Sequence, residues 1–485
     1  MKKLISIHHW LGTFFCFLFL IWFLSGFVMM YRSFPSLSSK ERIEISEYNK
    51  ASHVLQPNLV FQDTCSAEIQ NLRLNFQLGK PVYHLTTKEG EMISRRADNG
   101  ADLDITQTKA LQIASFNTGI NTSAAVNSIT ELDQWIPRTK YLNHLPIYKI
   151  EYKNEDKTFV YVSSVTGEIL NLNTNDERFW AWIGAIPHWI YFRDIRVNGA
   201  LWSQLVIWLA FLGLIMTVTG IVTGLVRYKK KPKAKFKRFK NKWYNFHYYI
   251  GLFFGLFVFT WIFSGLMSMT PFDWTPSAQL NENESDKWVG ENYTLNSFNT
   301  TAWENLIEFT QENKFKEITF KPFNGALFIH QELLNDQKLL NLENPEQLPQ
   351  QEDYELMINS FSSGESVKQI TFLTEYDNYY YSRHNEKELP VIKYEMSNRT
   401  YYVNPKRAKV IYKCETEHKL QRWVYNGLHS LDFSFIAWKR PLWDIVLIIL
   451  LVGGTIISFT GTALGIKFIK RKIRKQLKKR EKLLK

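Results

Sequence analysis

The sequence predicts a membrane protein: a four-helix transmembrane bundle built from two parallel repeats, each with an inserted α+β extracytoplasmic domain. Three observations predict it. Four apolar stretches are each long enough to cross a bilayer core, which takes about 20 residues. Strongly basic segments flank those stretches, a positive-inside pattern. The first and third stretches match without gaps at an offset of 239 residues.

Residues 1–31 form a short basic start and the first span, apolar from 11 to 31. A basic start before an apolar run resembles a signal peptide. However, Gly26 to Tyr31 offers no small-x-small cleavage site, and the twin stretch at 246–270 lies in mid-chain, so both are expected to be retained spans. Residues 32–199 are far too long for a simple hairpin loop and are expected to fold as a domain. A helical stretch over 106–116 and a strand-like run over 158–162 precede a Val165-Thr-Gly-Glu168 turn signal. The second span, 200–226, leads through a basic loop, 227–243, into the third, 244–270. A second outer domain, 271–444, then precedes the fourth span, 445–466, and a basic tail, 467–485.

Apolar residues make up 45% of the chain, yet the mean hydropathy is −0.23, as expected for a few spans joined to large polar domains. Tryptophan (16) and tyrosine (23) are abundant, as at membrane interfaces. The net charge is +13, but residues 1–9, 227–243 and 467–485 hold twenty-three basic side chains and one acid, leaving −9 for the rest. That places both termini and the 227–243 loop in the cytoplasm, with the two large segments outside, in the periplasm if the membrane is a bacterial inner membrane. It also argues against a nucleic-acid partner, because every basic segment adjoins an apolar span.

The three cysteines are Cys16, within a span, and Cys65 and Cys414, which could pair across the outer segments. They form no zinc or iron–sulfur motif and no Cys-x-x-Cys-His for covalent haem attachment.

The outer segments also echo each other. Ile129-Thr130 matches Ile370-Thr371, and Tyr161-Val162 matches Tyr402-Val403, both at 241. Pro146-Ile-Tyr-Lys149 resembles Pro390-Val-Ile-Lys393 at 244. The chain therefore reads as one unit used twice, with a pseudo-twofold axis along the membrane normal.

Four histidines follow the same repeat. His8 and His247 open the first and third spans, each four residues before a glycine, Gly12 or Gly251. His188 and His429, at an offset of 241, precede the second and fourth spans. An electron-transfer haem of the b type takes two neutral imidazoles from opposite faces of a flat macrocycle, which a twofold arrangement supplies readily. A span of about 30 Å separates the two levels, so the expected pairs are His8 with His247 near the cytoplasm and His188 with His429 near the outer face. The haem irons would be the metals bound. Gly12 and Gly251 share a helical face with their histidines and leave room for a porphyrin. Gly26 and Gly265, eighteen residues on, return to that face. Thr219-Gly220 with Gly224 matches Thr460-Gly461 with Gly465, small residues that allow close helix approach. His9 competes for the inner site, but its repeat mate is Tyr248. His144 and His384, at 240, match in the outer domains, where a buried structural role is the expectation.

These features resemble the PepSY-associated transmembrane family. The resemblance rests on the His-x-x-x-Gly span openings, the Ser25-Gly26 and Ser264-Gly265 steps, the Tyr-Val-Ser-Ser-Val-Thr-Gly-Glu-Ile strand and turn at 161–169, and Gly-Leu-His-Ser-Leu-Asp-Phe at 427–433. The outer domains would then be PepSY-like. The chain departs from the pattern at Tyr402 to Val410, where Asn-Pro-Lys-Arg-Ala-Lys replaces the Thr-Gly-Glu turn, and at Pro187, just before His188. The family includes haem-containing inner-membrane reductases of ferric siderophores, so the resemblance implies a di-haem b protein that reduces a ferric siderophore or similar chelate on the outer side.

No Gly-x-Gly-x-x-Gly or Walker loop lies outside the spans, so electrons would come from a separate donor, a quinol or a cytoplasmic flavoprotein. Aromatic residues around His188 (Phe179, Trp180, Trp182, Trp189, Phe192), with Arg193 and Arg196, could dock a flat anionic chelate; an aromatic membrane belt explains them equally well. Two alternatives belong to other classes. One is a haem-free membrane protein whose PepSY-like domains bind peptides or proteases. The other is a transporter of the chelate itself, against which stand spans with no charge near mid-bilayer. The catalytic residues are unknown from sequence.

Overall fold

The computed structural model describes the whole chain except residues 65–66, 231–238, 291–292, 298–299, 362–363, 383–385, 438 and 485. Cys65, His384 and most of the basic loop lie outside the described residues. The chain forms two compact units. One comprises residues 1–34, 177–275 and 420–485, the other residues 35–176 and 276–419.

The first unit holds four helices long and apolar enough to cross a membrane: Lys2–Met29, Gly199–Lys229, Lys242–Ser268 and Leu442–Leu483. Each outruns its apolar stretch on the basic side because nothing breaks the helix at the polar flank; the fourth, 42 residues long in all, takes in most of the basic tail. In the bundle, span 1 packs on spans 2 and 4, and span 3 packs on spans 2 and 4. Spans 1 and 3 therefore face each other across the bundle. Phe15, Phe19, Phe23, Val258, Trp261 and Leu451 are among its core. Small residues set the helix spacing. A Cβ at Gly465 would come within 2.9 Å of Thr13 Cα, and one at Gly461 would collide with Cys16 Sγ.

The second unit holds the strands β1 Ile69–Gln77, β2 Lys80–Thr87, β3 Met92–Arg96, β4 Ala124–Ile129, β5 Ile147–Tyr152, β6 Phe159–Ser163 and β7 Ile169–Asn173, then β8 Glu317–Phe323, β9 Ala326–Glu332, β10 Gln337–Asn341, β11 Gln369–Leu373, β12 Val391–Glu395, β13 Arg399–Asn404 and β14 Lys409–Glu415. The run expected at 158–162 is β6. The helix expected at 106–116 is Gln107–Thr118, capped by Thr106, whose side chain accepts from Lys109 N–H.

Strands β4–β7 and β11–β14 make two four-stranded meanders, and the other six make one sheet in the order β10-β9-β8-β1-β2-β3. The two outer segments thus share a sheet, joined where β1 and β8 pair antiparallel with Arg73 opposite Thr319. One face of this sheet carries Leu72, Leu74, Tyr83, Ile318, Phe320 and Ile329 into an apolar core. The alternate residues, Arg73, Asn75, His84, Glu317, Thr319 and His330, point to the other face.

That second face contains buried charge. Arg42 reaches Glu168 at 2.7 Å and Glu317 at 3.0 Å; Arg73 reaches the same two at 2.8 and 2.7 Å. Burial alone would raise both carboxyls, but Arg73 and Arg42 outweigh it and hold Glu168 and Glu317 below the usual carboxylate range. The two meanders repeat one polar motif: Tyr161 donates to Asp133 and Tyr402 to Asp377, while Lys149 and Lys393 pair with those same aspartates.

Candidate functional site

The four histidines singled out in the sequence meet as two pairs. His8 and His247 lie with ring centres 6.5 Å apart and planes inclined at 38°. His188 and His429 lie 6.3 Å apart and inclined at 78°. The inner pair comes from spans 1 and 3. The outer pair comes from short helical segments, Ala185–Trp189 and Leu428–Ser430. Each outer segment ends two residues after its histidine in a left-handed residue, Ile190 (φ 54°) or Leu431 (φ 50°). That turn stops the helix and fixes the direction of the ring.

Every one of these rings is anchored through Nδ1. For His8 the partner is the Met216 carbonyl, at 3.1 Å. For His188 it is the Trp22 carbonyl, at 3.1 Å, with Ser25 Oγ also at 3.1 Å. For His247 it is Thr460 Oγ1 at 2.9 Å, and for His429 Ser264 Oγ at 3.0 Å. A carbonyl only accepts, so His8 and His188 donate from Nδ1–H. The three hydroxyls spend their own hydrogens on backbone carbonyls: Ser25 on Trp22, Ser264 on Trp261, and Thr460 on Ile456 or Ile457. They are therefore acceptors as well. All four imidazoles carry their proton on Nδ1 and keep the Nε2 lone pair free.

Glycines make room for these rings. A Cβ at Gly220 would sit 2.7 Å from His8 Cε1, and one at Gly461 3.3 Å from His247 Cε1. Gly26 and Gly265 face the Cε1 atoms of His188 and His429 at 3.9 and 3.7 Å. At Gly251 a Cβ would meet nothing within 4 Å, and at Gly12 only Cys16 Sγ.

The outer pair is further braced by the chain around His429. Trp261 Nε1 donates to the His429 carbonyl, Trp443 Nε1 to that of Ser430 and Arg422 to that of Asp432, each at 2.8–2.9 Å. A wide π-turn, Arg422–Gly427, leads into the segment. Such turns gather at functional sites.

His9 does not join the inner pair; its ring lies 5.5 Å from that of Phe468. His144 is held by Ser163 Oγ at 3.0 Å in the outer unit, and its sequence mate His384 is outside the described residues, as is Cys65, whose proposed partner Cys414 is a buried thiol. Around His188, Phe179, Trp182 and Phe192 are exposed. The arginines beside them are engaged: Arg193 pairs with Asp194, and Arg196 lies over the rings of Tyr191 and Trp202.

Sequence reasoning found the histidines and glycines but missed the acceptors. Ser25 and Ser264 recur at the span offset and were in view as Ser-Gly steps. Thr460 was in view as a small residue. The Met216 carbonyl leaves no trace in a sequence. Among the described residues no group of three or more His, Cys, Asp or Glu side chains could hold a metal ion; the four histidines stand as two imidazole pairs.

Comparison with curated proteins finds no match. The family model described as PepSY-associated TM region matches residues 5–317, more than half of the sequence, and the chain belongs to that family.

Proposed function

We infer that the protein holds two b-type haems, one between His8 and His247 and one between His188 and His429, and carries electrons across the membrane to a ferric chelate outside. The observation that carries this reading is the spacing of the rings together with their anchored Nδ1 atoms. Ring centres 6.5 and 6.3 Å apart would let both imidazoles of a pair bind one metal ion, at bonds of about 2.0–2.1 Å each. Ligating histidines also donate their other ring N–H to a carbonyl or an oxygen acceptor, as all four do.

When bound, a bis-imidazole haem supplies reversible one-electron transfer between ferric and ferrous iron. The residues of the chain do the rest. The Met216 and Trp22 carbonyls, Thr460 and Ser264 fix ring orientation and tautomer. Gly12 and Gly251 leave an open face beside the inner pair. The apolar bundle keeps water from the pairs. Within span 1, His8 and Ser25 stand seventeen residues apart, about 26 Å along the axis, so the two sites sit at opposite ends of the span. The matched anchors Ser25 and Ser264, and glycines Gly220 and Gly461, support a two-repeat organisation about an axis along the membrane normal.

The basic flanks favour cytoplasmic termini in an inner membrane. A quinol or a cytoplasmic flavoprotein would donate on the inner side. The ferric centre of a siderophore or related chelate would accept one electron on the outer side, where ferrous iron is held more weakly by hard oxygen ligands.

A dithionite-reduced minus oxidised spectrum of the purified protein, with pyridine haemochrome quantification, tests this directly. Low-spin b-type bands with about two haems per chain are expected. A protein that takes up no haem under ample supply overturns the reading in favour of a peptide-binding outer unit. His429→Ala should then remove about one haem and stop chelate reduction, with the protein still in the membrane.

A further inference from the structure

The two hairpins at the centre of the six-stranded sheet can be aligned residue by residue, and they differ in one place. Each turns on two residues of positive φ, Leu78-Gly79 in β1–β2 and Asn324-Gly325 in β8–β9. Five residues after each glycine stands a buried histidine, His84 or His330, on the polar face. His84 is fully satisfied: Nε2 meets Asn75 Oδ1 and Nδ1 meets Ser94 Oγ, both at 2.8 Å. The residues in the same register around His330 are Lys321 and Leu339. A protonated lysine has no acceptor and a leucine has no polar atom, so neither reproduces those bonds. His330 is 2% exposed, and its Nε2 has no hydrogen-bond partner. Its Nδ1 lies 3.8 Å from Glu332 Oε1.

The turn that covers each hairpin differs in the same sense. In the meander β4–β7, the β6–β7 turn presents Glu168 to Arg73 and Arg42. In β11–β14 the β13–β14 register slips at the corresponding step, between Tyr402 and Val403, as β6–β7 does between Tyr161 and Val162. Val410 therefore stands where Ile169 does, and Lys409 where Glu168 does. The left-handed Ala408 takes the place of Gly167. This is the Asn-Pro-Lys-Arg-Ala-Lys departure visible in the sequence.

Lys321 and Lys409 form no ion pair among the described residues. Arg407 beside them is engaged with Glu332 and Glu388, but its Nε is unpartnered. One hairpin is thus capped by the carboxylate of its covering turn, while the turn over the other presents Lys409 in that place, beside a histidine whose Nε2 is unpartnered; the carboxylates nearby, Glu332 and Glu388, are taken up by Arg407. Lys409 is exposed and Lys321 partly so, which leaves the group reachable from solvent.

We propose that Lys321, Lys409, Arg407 and His330 form a binding site for an external carboxylate, which takes the position Glu168 holds on the opposite hairpin. The proposal stands independently of haem binding. Burial, followed by Lys409 and Arg407, pushes the Lys321 amine down to about 7; Glu317 opposes that and Arg73 adds to it. The protonated fraction of such an amine rises from about a tenth at pH 8 to about nine-tenths at pH 6, so carboxylate affinity should rise roughly tenfold over that interval.

The test is isothermal titration of the purified full-length protein with citrate, and separately with inorganic phosphate, at pH 6 and pH 8. Citrate should bind, more tightly at pH 6. Lys409→Glu, which supplies an internal carboxylate at an exposed position, should abolish binding without lowering the unfolding temperature. Lys321→Asn, which restores the residue found beside His84, should weaken it at least tenfold. No citrate binding up to about 10 mM, at about −2.7 kcal/mol or weaker, overturns the proposal. So does equal binding by wild type and Lys409→Glu, or binding of phosphate alone.

Discussion

Ser264 Oγ accepts from His429 Nδ1–H at 3.0 Å, while its own hydrogen goes to the Trp261 carbonyl. One hydroxyl thereby fixes the tautomer of a ring whose partner, His188, is held by Ser25 in the same way. Removing the acceptor leaves Nδ1–H without its anchor and frees the ring to turn. Such supporting bonds are typically worth 10- to 100-fold in metal-site affinity. Ser264→Ala should therefore lower haem retention at the outer site by about that factor and shift the midpoint of that haem alone, as followed by a spectroelectrochemical titration. Ser264→Thr, which keeps the hydroxyl, should restore both. An unchanged titration in Ser264→Ala would separate the serine from the site.

The inner pair has a steric safeguard in place of a second hydroxyl. Gly220 lies so close to His8 that a methyl group would meet Cε1 at 2.7 Å, inside van der Waals contact. Gly220→Ala should push His8 off line and cost the inner haem while sparing the outer one, halving the pyridine haemochrome value. Gly251→Ala meets no protein atom within 4 Å of its Cβ, so any inner haem it costs would report the open face rather than a displaced histidine.

His9 offers a control within one residue of the proposed ligand His8. Its ring packs toward Phe468 rather than His247. His9→Ala should leave haem content and the reduced-minus-oxidised spectrum unchanged, whereas His8→Ala should remove about one haem. If both variants lose the same haem, His9 shares the inner site.

How much of this was legible in the sequence differs by residue. The spans were legible because apolar length is a local property. His8, His247, His188 and His429 were legible because they recur at nearly constant offset. The carbonyl of Met216 was not, since a backbone acceptor carries no side-chain signature. The pairing of Arg73 with Thr319 was not, since antiparallel register between residues 246 apart in sequence is set by tertiary packing. The Asn-Pro-Lys-Arg-Ala-Lys departure was visible, but its meaning depended on knowing that Lys409 occupies the place of Glu168. Arg196 shows the opposite limit: its charge suggested an anion dock, and its guanidinium packs over Tyr191 and Trp202.

The buried charges of the outer unit predict acid sensitivity. Arg73 and Arg42 hold Glu168 and Glu317 below the usual carboxylate range against the opposing effect of burial. Burial pushes the His84 imidazole down to about 4. In each case the unfolded chain binds the proton at higher pH than the folded one, so stability falls as pH falls. The loss begins near 6.5, where an unfolded histidine titrates, and steepens below 4.5 as unfolded carboxylates take protons that folded ones refuse. Glu168→Gln leaves two arginines facing one carboxylate and should destabilise the unit at pH 7 by about 3–5 kcal/mol. It should also flatten the dependence below pH 4.5, because one titrating group is gone. Denaturant unfolding of the full-length protein at pH 7, 5.5 and 4, for wild type and Glu168→Gln, measures both effects. Parallel curves displaced by a constant amount would show that Glu168 contributes packing rather than charge.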